Sequence, residues 1–505
     1  MAIKVAFIGA GSIGFTRKLC RDILTVPEFA DAHFALHDIN RRNLNGVAQL
    51  LEKDIASNRL PARVTRHHTR KPALAGADYV VNTTRIGGLD AFAQDIDIPL
   101  RYGIDQCVGD TLCAGGIFYG QRNIPAIEAF CADMQAEASD DVLFLNYANP
   151  MAMNTWAALD TGVNTVGLCH GVQGSHGLIA RVLGAESKDE VDVVAAGINH
   201  QTWFVDIRHQ GRRISGEELL AAFEADEDSM RDEKCRIDVL RRFGFWSTES
   251  NGHLSEYLPW YRKRAGEIEK WISLGTVWIH GETGGYLRVC TEGRNWFEQE
   301  FDSMLAEAGE PIEASKRSEE HGSYIIEALE TGRPYRGHFN VRNGGTITNL
   351  AADAIIEAPG YVDRHGIHMT PVGELPLACA ATCTASIDVQ RMSVRAAQTG
   401  DSLLLRQALL HDPLTAAICD PDEIWHLCDA MLDAQADWLP QFEATGAIAA
   451  ARKRLKAGPD RARFPDFPGA ARLETRDIDA MRAEVAGDAA ARKRMTDADK
   501  AGFSK

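Results

Sequence analysis

The amino-acid sequence predicts an α/β protein in which a doubly wound, mostly parallel sheet comes first and an α+β lobe follows. Two observations lead to this prediction. Short and nearly continuous apolar runs alternate with helical segments over the first third of the 505 residues, as expected of strands that are buried on both faces. The first run ends in a cluster of glycines where a helix would begin. Such alternation favours successive βαβ units.

The predicted elements follow one another along the chain. The sequence predicts strands at residues 3–8, 33–37, 79–82 and 142–145, and helices at 15–26, 41–57 and 120–138. The pattern loosens beyond residue 190. There the sequence predicts strands at 191–194 and 202–207, typical of a mixed or antiparallel sheet, and helices at 216–243, 314–330 and most of 395–455.

Composition and charge exclude several classes of function. The chain carries a net charge of −17, and such an acidic chain repels phosphate backbones unless it has a focused basic patch, which we do not find. No run approaches the ~20 apolar residues of a membrane helix, and the N-terminus lacks the pattern of a signal peptide. The eleven scattered cysteines contain no CxxC pair. We therefore expect a cytoplasmic protein with reduced thiols that binds neither nucleic acid nor membrane.

The glycine cluster has the spacing of a dinucleotide-binding loop, Gly9-Ala-Gly11-Ser-Ile-Gly14. It follows an apolar strand and opens a helix, which is the context that this motif requires. Gly9 would permit the tight turn, Gly11 the close approach of backbone N–H groups to a pyrophosphate, and Gly14 close packing of helix on strand. The alternative is a glycine turn in an α/β domain that binds nothing.

An acidic residue supports the first interpretation. Asp38 closes the next predicted strand, where its carboxylate would accept hydrogen bonds from the adenosine ribose and repel a 2′-phosphate. This favours NAD over NADP, although Arg41 and Arg42 follow closely. Ser12 and Asn82 are further candidates for contacts with the cofactor.

These signals divide the chain into three parts. We predict an NAD-binding, Rossmann-like domain over residues 1–195, an α+β catalytic and substrate domain over 196–455, and a peripheral extension over 456–505. The length agrees with more than one domain, because single cores stop growing near ~250–300 residues.

Polar motifs recur where predicted strands end. They occupy residues 82–88 (NTTRIGG), 146–150 (NYANP), 167–172 (GLCHGV) and 197–200 (GINH). Ligands of open α/β sheets bind beyond the carboxyl ends of the strands, so these polar groups are expected to converge around a substrate.

Cys169 and His200 in these motifs are the candidates for a metal site. A thiolate and an imidazole suit a first-row divalent ion, and two protein ligands leave positions open for substrate hydroxyls. A buried cysteine is more often part of the packing than a ligand, so the residues alone leave both interpretations open.

A second segment is dense in groups that can move protons. Glu249, His253, Glu256 and Tyr257 lie close together in a stretch punctuated by glycine and proline. We predict a loop there that supplies a general base. The alternative is a polar loop with ordinary caps and turns.

Taken together, these motifs resemble those of glycoside hydrolase family 4, the NAD- and metal-dependent glycosidases. The resemblance spans roughly residues 3–440 and is closest to the α-galactosidases of the melibiose type. It rests on residues 110–116 (DTLCAGG), 146–156 (NYANPMAMNTW), 167–174 (GLCHGVQG), 197–200 (GINH), 249–260 (ESNGHLSEYLPW), 340–345 (NVRNGG) and 437–440 (DWLP).

The resemblance implies a fold, two cofactors and a reaction. The fold would begin with a Rossmann-like sheet of the lactate/malate dehydrogenase kind, and the protein would be a homodimer or homotetramer. NAD+ and Mn²⁺, or another divalent first-row metal, would assist cleavage of a small glycoside. The implied route is oxidation at C3 of the sugar, loss of the C2 proton, elimination of the aglycone, addition of water and return of the hydride.

The resemblance also implies roles for individual residues. Cys169 and His200 match the metal ligands, and Asn149 and Asn199 match residues that hold sugar hydroxyls beside the metal. Tyr257 matches the base that takes the C2 proton, and some members use a carboxylate instead, so Glu249 and Glu256 remain rivals. Asp110 and His170 complete the predicted catalytic set. Arg85 and Arg342, from NTTRIGG and NVRNGG, are predicted to bind substrate.

The sequence leaves alternatives open both for the sugar substrate and for the class of enzyme. His170 stands where members acting on 6-phosphoglycosides carry Asp or Asn, which favours an unphosphorylated sugar. Gly171 replaces the serine usual in α-galactosidases, so an α-glucuronidase, α-galacturonidase or α-glucosidase is the alternative within the family. Cys113 stands where glycine is more common. A 2-hydroxyacid dehydrogenase and an NAD-sensing binding protein are the alternatives outside the family.

Overall fold

The computed structural model describes residues 2–275, 277–464 and 466–494, and a single mixed sheet runs through its centre. One half of the sheet is parallel, in the order β3-β2-β1-β4-β5-β6. These strands are β1 (Lys4–Ile8), β2 (His33–His37), β3 (Arg63–His67), β4 (Tyr79–Asn82), β5 (Leu143–Asn146) and β6 (Thr165–Gly167). The connections change direction between β1 and β4, which is where open α/β sheets form their ligand crevice.

Helices cover both faces of this parallel half. They are α1 (Phe15–Leu24), α2 (Arg41–Ser57), α3 (Arg70–Leu74), α4 (Gly88–Leu100), α5 (Cys113–Glu137), α6 (Met151–Asp160) and α7 (Gly171–Val182). Val5 and Phe7 of β1 pack in the core formed with α1 and α2, whereas Ala6 and Ile8 point to the core formed with α3 and α5. Because neighbouring residues of a strand face opposite ways, both faces of β1 are apolar. The predicted fold class is confirmed.

The sheet continues beyond β6 as an antiparallel half, in the order β6-β11-β12-β7-β8-β10, with β13 paired to β12 and β9 to β8. Its strands are β7 (Val191–Ile198), β8 (Gln201–His209), β9 (Arg212–Arg213), β10 (Trp246–Ser247), β11 (Tyr335–Arg342), β12 (Ile355–Asp363) and β13 (Gly366–Met369). The sheet therefore crosses the predicted domain boundary at residue 195, which lies within β7.

The remaining α-helices follow β9 along the chain. They are α8 (Gly216–Glu224), α9 (Glu227–Asp232), α10 (Lys234–Phe243), α11 (Asn251–Tyr257), α12 (Ala265–Trp271), α13 (Gly285–Glu307), α14 (His321–Thr331), α15 (Leu377–Thr399), α16 (Ser402–His411), α17 (Pro413–Ile418), α18 (Pro421–Ala434), α19 (Pro440–Ala444), α20 (Ala447–Ala457) and α21 (Ile478–Arg494). Among the described helices, none is long and apolar enough to cross a bilayer.

Several predicted element boundaries were wrong, and side-chain caps explain two of them. The helix expected over 216–243 is three helices, since the Asp226 side chain accepts a hydrogen bond from the Ser229 N–H and starts α9. The loop expected around 249–260 contains α11, because Ser250 caps it by accepting a bond from the His253 N–H. The segment 395–455 is likewise divided among α15 to α20, and the helix predicted at 314–330 begins only at His321.

The C-terminal segment packs against the body of the protein. The Phe464 N–H donates to the Arg101 carbonyl at 2.9 Å, and Ala471 is buried against Ile268 and Ile272. Farther along, the Arg476 side chain forms an ion pair with Glu292 of α13.

Candidate active site

The glycine loop between β1 and α1 forms a close-packed cradle. Gly9 has φ +85°, and a Cβ there would lie 2.9 Å from the backbone of Thr83 and Thr84, so no other residue fits. A Cβ on Gly11 would lie 2.7 Å from the Asp38 carboxylate. The Gly11 N–H donates to Asp38 Oδ2 at 2.7 Å. The two glycines let the loop pack closely on the residues that follow β4 and β2, and Gly11, Ser12 and Gly14 line an open cleft beside it, as a pyrophosphate site requires.

The expectation for Gly14 was wrong in one respect. A Cβ at this position would meet nothing within 4 Å, so glycine is not required there for packing of the helix on the strand. Gly14 lines the cleft together with Ser12 and Phe15, and its missing side chain keeps that part of the cleft open.

Asn82 lies below the cleft. Its side chain is fully buried, donates to Asn146 Oδ1 at 2.9 Å and accepts from the Thr84 hydroxyl at 2.9 Å. Asn82 therefore links the ends of β4 and β5 and accepts a hydrogen bond from the Thr84 N–H. Its side chain does not line the cleft.

Asp38 is placed to select the dinucleotide. Its Oδ1 accepts from the Asn40 N–H at 2.7 Å, which together with the Gly11 bond fixes the carboxylate at the end of β2. Arg42 is turned away, because it donates to the Glu298 carbonyl at 2.9 Å. A dinucleotide bound at the glycine loop would therefore meet a carboxylate at the end of β2.

We expect the protein to bind NAD at least about tenfold more tightly than NADP, because Asp38 would repel a 2′-phosphate. Asp38→Asn keeps an acceptor for the Gly11 N–H but removes the charge, so this variant should lose most of the preference. Titration calorimetry with both dinucleotides measures it. Equal affinity of the wild-type protein for NAD and NADP would contradict the assignment.

A single cleft of about 1020 Å³ connects the glycine loop with the polar motifs at the strand ends. The predicted site residues that line it are Gly11, Ser12, Gly14, Arg85, Asp110, Asn149, Cys169, His170 and His200. The dinucleotide half and the candidate metal half are therefore two parts of one continuous space.

Asp110 is the centre of a polar group in the second half of the cleft. Asn149 Nδ2 donates to both of its carboxylate oxygens, at 3.1 and 3.2 Å, and Arg85 Nη2 lies 3.4 Å from Oδ2. The Thr111 hydroxyl donates to Oδ1 at 2.9 Å. The Arg85 guanidinium also lies over the ring of Tyr286, 5.2 Å from its centroid. This arrangement orients Asn149 and balances the buried carboxylate.

Two of the side chains that could hold a metal ion, Cys169 and Glu249, flank Gly171. A Cβ on this glycine would lie 3.1 Å from Glu249 Oε1 and 3.7 Å from Cys169 Sγ, so the carboxylate and the thiol flank one point. Ligand atoms of His200, Glu249 and His253 lie within 4.8 Å of one another. The structure thus adds Glu249, which we had expected as a rival base, to the group that could hold a metal ion.

His253 is committed to supporting His200. Its Nε2 lies 2.7 Å from His200 Nδ1, and its Nδ1 lies 2.9 Å from Glu256 Oε2. Glu256 Oε1 also accepts from the Val108 N–H at 2.6 Å. A chain from carboxylate to imidazole to imidazole orients His200 and leaves its Nε2 facing the cleft, as in metal sites whose ligating histidine is fixed by a second group.

The charge states of the ligands fit a divalent ion. Burial raises the pKa of the Cys169 thiol well above its ordinary value, and the carboxylates of Glu357 and Glu249 act in the same direction. Burial lowers the pKa of His200 to about 4, so the imidazole is neutral. Burial would raise the pKa of Glu249, but the surrounding histidines reverse this effect and lower it. A cation would stabilise the thiolate and bind the neutral imidazole and the carboxylate directly.

Three residues next to the cleft adopt the left-handed backbone conformation, which is uncommon without glycine. They are Cys113 (φ +59°), His200 (φ +62°) and Glu249 (φ +73°). The Cys113 N–H donates to Asp412 Oδ2 at 3.0 Å, which holds the strained turn. Such strain concentrates at functional sites, and it explains why glycine would be favourable at position 113.

Tyr257 and Asn199 lie under the floor of the cleft. The Tyr257 hydroxyl donates to the Asn199 carbonyl at 3.3 Å, and its side chain is 1% exposed. Burial raises the pKa of Tyr257 well above its ordinary value, and Glu249 and Asp110 raise it further. Asn199 Nδ2 lies 3.5 Å from Glu357 Oε2, and its Oδ1 has no partner among the described residues.

The structure does not bring Arg342 to the cleft. Arg342 ends β11, which runs antiparallel to β6, so it lies near the starts of β4 and β6 at Tyr79 and Thr165. Its guanidinium pairs with Asp160 at 2.8 Å. The expectation that Arg342 binds substrate is therefore wrong. The direction of β11 places Arg342 near the N-terminal ends of the parallel strands, whereas the cleft lies at their C-terminal ends.

Helix α13 is the part of the cleft that sequence reasoning missed. Tyr286, Cys290, Arg294 and Trp296 line one wall of the cleft. The only signal for α13 in the sequence is helical periodicity, which does not show that the helix packs against α2 and α4. The wall therefore depends on tertiary packing.

The fold and the cleft define an α/β enzyme with a dinucleotide-type glycine loop at one end of the cleft, and the Cys169 thiol, the His200 imidazole and the half-buried Glu249 carboxylate at the other. Two family descriptions match the chain, "Family 4 glycosyl hydrolase" over residues 4–185 and "Family 4 glycosyl hydrolase C-terminal domain" over residues 195–415. The chain belongs to glycosyl hydrolase family 4, and the predicted resemblance is confirmed.

Two curated relatives are similar over nearly their whole length. An α-galactosidase of Rhizobium meliloti (strain 1021) is 59% identical over 484 residues, which cover 96% of this chain and 98% of that protein. An α-galactosidase of Bacillus subtilis (strain 168) is 35% identical over 443 residues, which cover 87% of this chain and 100% of that protein.

Solved structures share the fold. A 6-phospho-β-glucosidase from Thermotoga maritima, solved with manganese, NAD+ and glucose-6-phosphate, has a TM-score of 0.69 at 21% identity and covers 86% of this chain and 99% of its own. A 6-phospho-α-glucosidase from gut microorganisms, solved with NAD and Mn²⁺, has a TM-score of 0.71 at 19% identity and covers 87% of this chain and 100% of its own. At these identities the comparison describes the fold alone.

Proposed function

We propose that the protein is an NAD- and divalent-metal-dependent α-galactosidase. The observation that carries this proposal is the continuous cleft, which joins the glycine loop to Cys169 and His200, with Glu249 beside His200. The 59% identity to an α-galactosidase over almost the whole chain supports the choice of sugar.

The residues of both halves fit the proposed cofactors. A Cβ at position 9 would collide with the Thr83–Thr84 backbone and one at position 11 with Asp38, so only glycine keeps this loop in place beside the cleft. We propose that Asp38 accepts hydrogen bonds from the ribose hydroxyls of NAD. The Cys169 thiol, the neutral His200 imidazole and the Glu249 carboxylate suit a borderline first-row ion such as Mn²⁺. When bound, the nicotinamide would accept and return the C3 hydride while the metal stabilises charge on the C2 and C3 oxygens.

The protein's own groups would hold the sugar. Asn149, oriented by Asp110, faces the cleft, and we propose that it binds a hydroxyl beside the metal. Asn199 Oδ1 has no protein partner among the described residues and is buried, so a ligand at the metal site would satisfy it. His170 is exposed at the edge of the cleft, where we propose that it assists departure of the aglycone oxygen.

Tyr257 is the proposed acceptor of the C2 proton. Its phenol is neutral without a cation, because burial, Glu249 and Asp110 all raise its pKa. A divalent ion next to His200 would oppose these effects and favour the phenolate. Glu256 is a weak rival, since its carboxylate is committed to the Val108 N–H and to His253.

The charges favour a neutral sugar over a phosphorylated or uronic one. The carboxylates of Asp110 and Glu249 lie at this end of the cleft, where Arg85 Nη2 is 3.4 Å from Asp110 Oδ2 and Arg85 Nη1 has no partner among the described residues. A phosphate or carboxylate group on the substrate would be repelled by these two carboxylates. This agrees with the α-galactosidase relatives and with the position of His170.

We expect p-nitrophenyl α-galactoside to be hydrolysed faster than the corresponding α-glucoside, α-glucuronide, α-galacturonide and β-galactoside, with NAD and Mn²⁺ under reducing conditions. Catalytic amounts of NAD should suffice, without net NADH formation, and product made in D₂O should carry deuterium at C2. Stoichiometric NADH would indicate a dehydrogenase. Hydrolysis without NAD, or without C2 label, would exclude the proposed reaction.

A further inference from the structure

The C-terminal segment lines part of the cleft, and the proposed function gives this segment no role. Residues 466–482, which we call the strap, run along α13 and lead into α21. They lie beyond residue 415, where the match to the family ends. Two strap side chains, Arg476 and Met481, line the same cleft as the glycine loop.

The backbone of the strap is seated at one position. The Ala471 N–H donates to the Thr283 hydroxyl at 3.2 Å, and the Thr283 N–H donates to the Ala471 carbonyl at 3.1 Å. The Ala470 N–H donates to Asp105 Oδ2 at 3.1 Å. Gly469 has φ +87°, and a Cβ there would lie 2.4 Å from the Thr283 side chain. The strap therefore lies tightly against the residue that precedes α13.

The strap is joined to the middle of α13 through a buried carboxylate. Arg476 Nη2 donates to Glu292 Oε2 at 2.7 Å, and the Arg476 N–H donates to Oε1 at 2.9 Å. The Glu292 side chain is 3% exposed and also accepts from Arg288 Nη1 at 2.9 Å. Burial would raise the pKa of Glu292, but the two arginines lower it. Charge-assisted bonds of this kind are roughly twice as strong as neutral ones.

The direction in which the strap runs along α13 assigns Met481 to the dinucleotide half of the cleft. At the start of α13, the Tyr286 ring packs against Arg85 in the candidate metal half of the cleft, where the sugar would bind and which we call the sugar half. Farther along, Phe297 packs in one cluster with Val47 of α2, which follows the end of β2 at the dinucleotide half. The strap runs in the same direction along α13, because Arg476 pairs with Glu292 and Arg482 Nε donates to Glu300 Oε1 at 3.0 Å. Met481 therefore lies toward the end of α13 where Phe297 packs with Ile13 of the glycine loop.

We propose that the strap retains the cofactor, with Arg476 as a positioning residue that holds the α13 wall against the bound dinucleotide and slows its release. This rests on the proposed function, in which the hydride returns to the sugar and the cofactor is not consumed. A dehydrogenase must release its cofactor in every turnover, whereas slow release does not limit a redox-neutral cycle. A closed wall on the dinucleotide half fits such a cycle.

The release of NADH from the full-length protein tests the proposal. Protein loaded with NADH is mixed with excess NAD, and the loss of NADH fluorescence is followed by stopped flow. Arg476→Gln removes the charged pair with Glu292, and we expect release to be about tenfold faster. Met481→Ala leaves that pair intact but opens the wall, and release should be several-fold faster. Arg472→Gln is the matched control, because it breaks only the ion pair with Asp97 outside the cleft.

The outcomes separate this proposal from the others. If folded Arg476→Gln and Met481→Ala release NADH at the wild-type rate, the proposal is wrong. It is also wrong if both variants raise KM for the glycoside while NADH release is unchanged, because the strap would then serve the sugar half. NADH release does not depend on glycoside turnover, so failure of the α-galactosidase assignment leaves this test intact. Failure of the wild-type protein to bind NADH would contradict the proposed function.

Discussion

Replacing Cys169 with serine should abolish hydrolysis and lower the affinity for Mn²⁺ by at least about 10²-fold. Loss of a residue that only hydrogen-bonds to a metal ligand already lowers metal affinity by about 10- to 100-fold, and loss of a ligand itself should cost at least as much. The thiol flanks the same point as Glu249, and serine does not ionise to replace the thiolate. NAD affinity should change little, because Cys169 lies at the other end of the cleft from Gly11. Isothermal titration with Mn²⁺ and with NAD measures both effects.

The pH dependence of metal binding gives a second readout. The raised pKa of Cys169 means that the metal displaces a proton from the thiol, so affinity should rise with pH by about tenfold per unit below that pKa. His200, with a pKa of about 4, contributes no such slope near neutral pH. The slope should disappear in Cys169→Ser.

Cys290→Ser is the control for Cys169→Ser. Cys290 lines the same cleft from α13 but lies outside the group around Gly171, so its replacement should leave Mn²⁺ binding near the wild-type value. Chelation should inactivate the wild-type protein, and Mn²⁺ should restore its activity. Full activity of the chelated protein, or of Cys169→Ser, would show that the ligand assignment is wrong.

Replacing Tyr257 with phenylalanine should lower kcat by roughly 10²–10⁴-fold, the range typical of a lost general base. The ring should keep its edge-on contact with His253, whose centroid lies 5.2 Å away, so the fold and the affinities for NAD and Mn²⁺ should change little. Wild-type protein should show a primary isotope effect with C2-deuterated substrate if proton removal is partly rate-limiting. Exchange of the C2 proton with solvent should be slowed in the variant by the same factor as kcat.

Tyr261→Phe provides the matched control, since it also removes a buried phenol, one that donates to Asp238 at 3.0 Å away from the cleft. Its kcat should stay near the wild-type value. Glu249→Gln and Glu256→Gln test the carboxylates. If either abolishes C2 exchange while retaining metal, and Tyr257→Phe remains nearly as active as wild type, then the base is a carboxylate and Tyr257 serves packing.

The sequence by itself determined the fold class and the two ends of the site. The apolar runs at 3–8 and 33–37 and the glycine spacing after them are local patterns, and local patterns report burial and backbone conformation directly. The motifs with Cys169 and His200 were informative for a similar reason, because each lies directly after a strand, and the end of a strand fixes the position of the next few residues. The family assignment depended on these short stretches.

Only the tertiary structure decided which way the polar groups face. Glu249, His253, Glu256 and Tyr257 are equivalent candidates in sequence, but α11 turns Glu256 toward the Val108 N–H and leaves Glu249 beside His200. Arg342 looked like a substrate contact until the antiparallel direction of β11 placed it near the N-terminal ends of the parallel strands. In the wall formed by α13 and the strap, Glu292 pairs with Arg476, which is far from it in sequence. Contacts of this kind arise from the packing of whole elements, and residue periodicity carries no record of which element a helix face will meet.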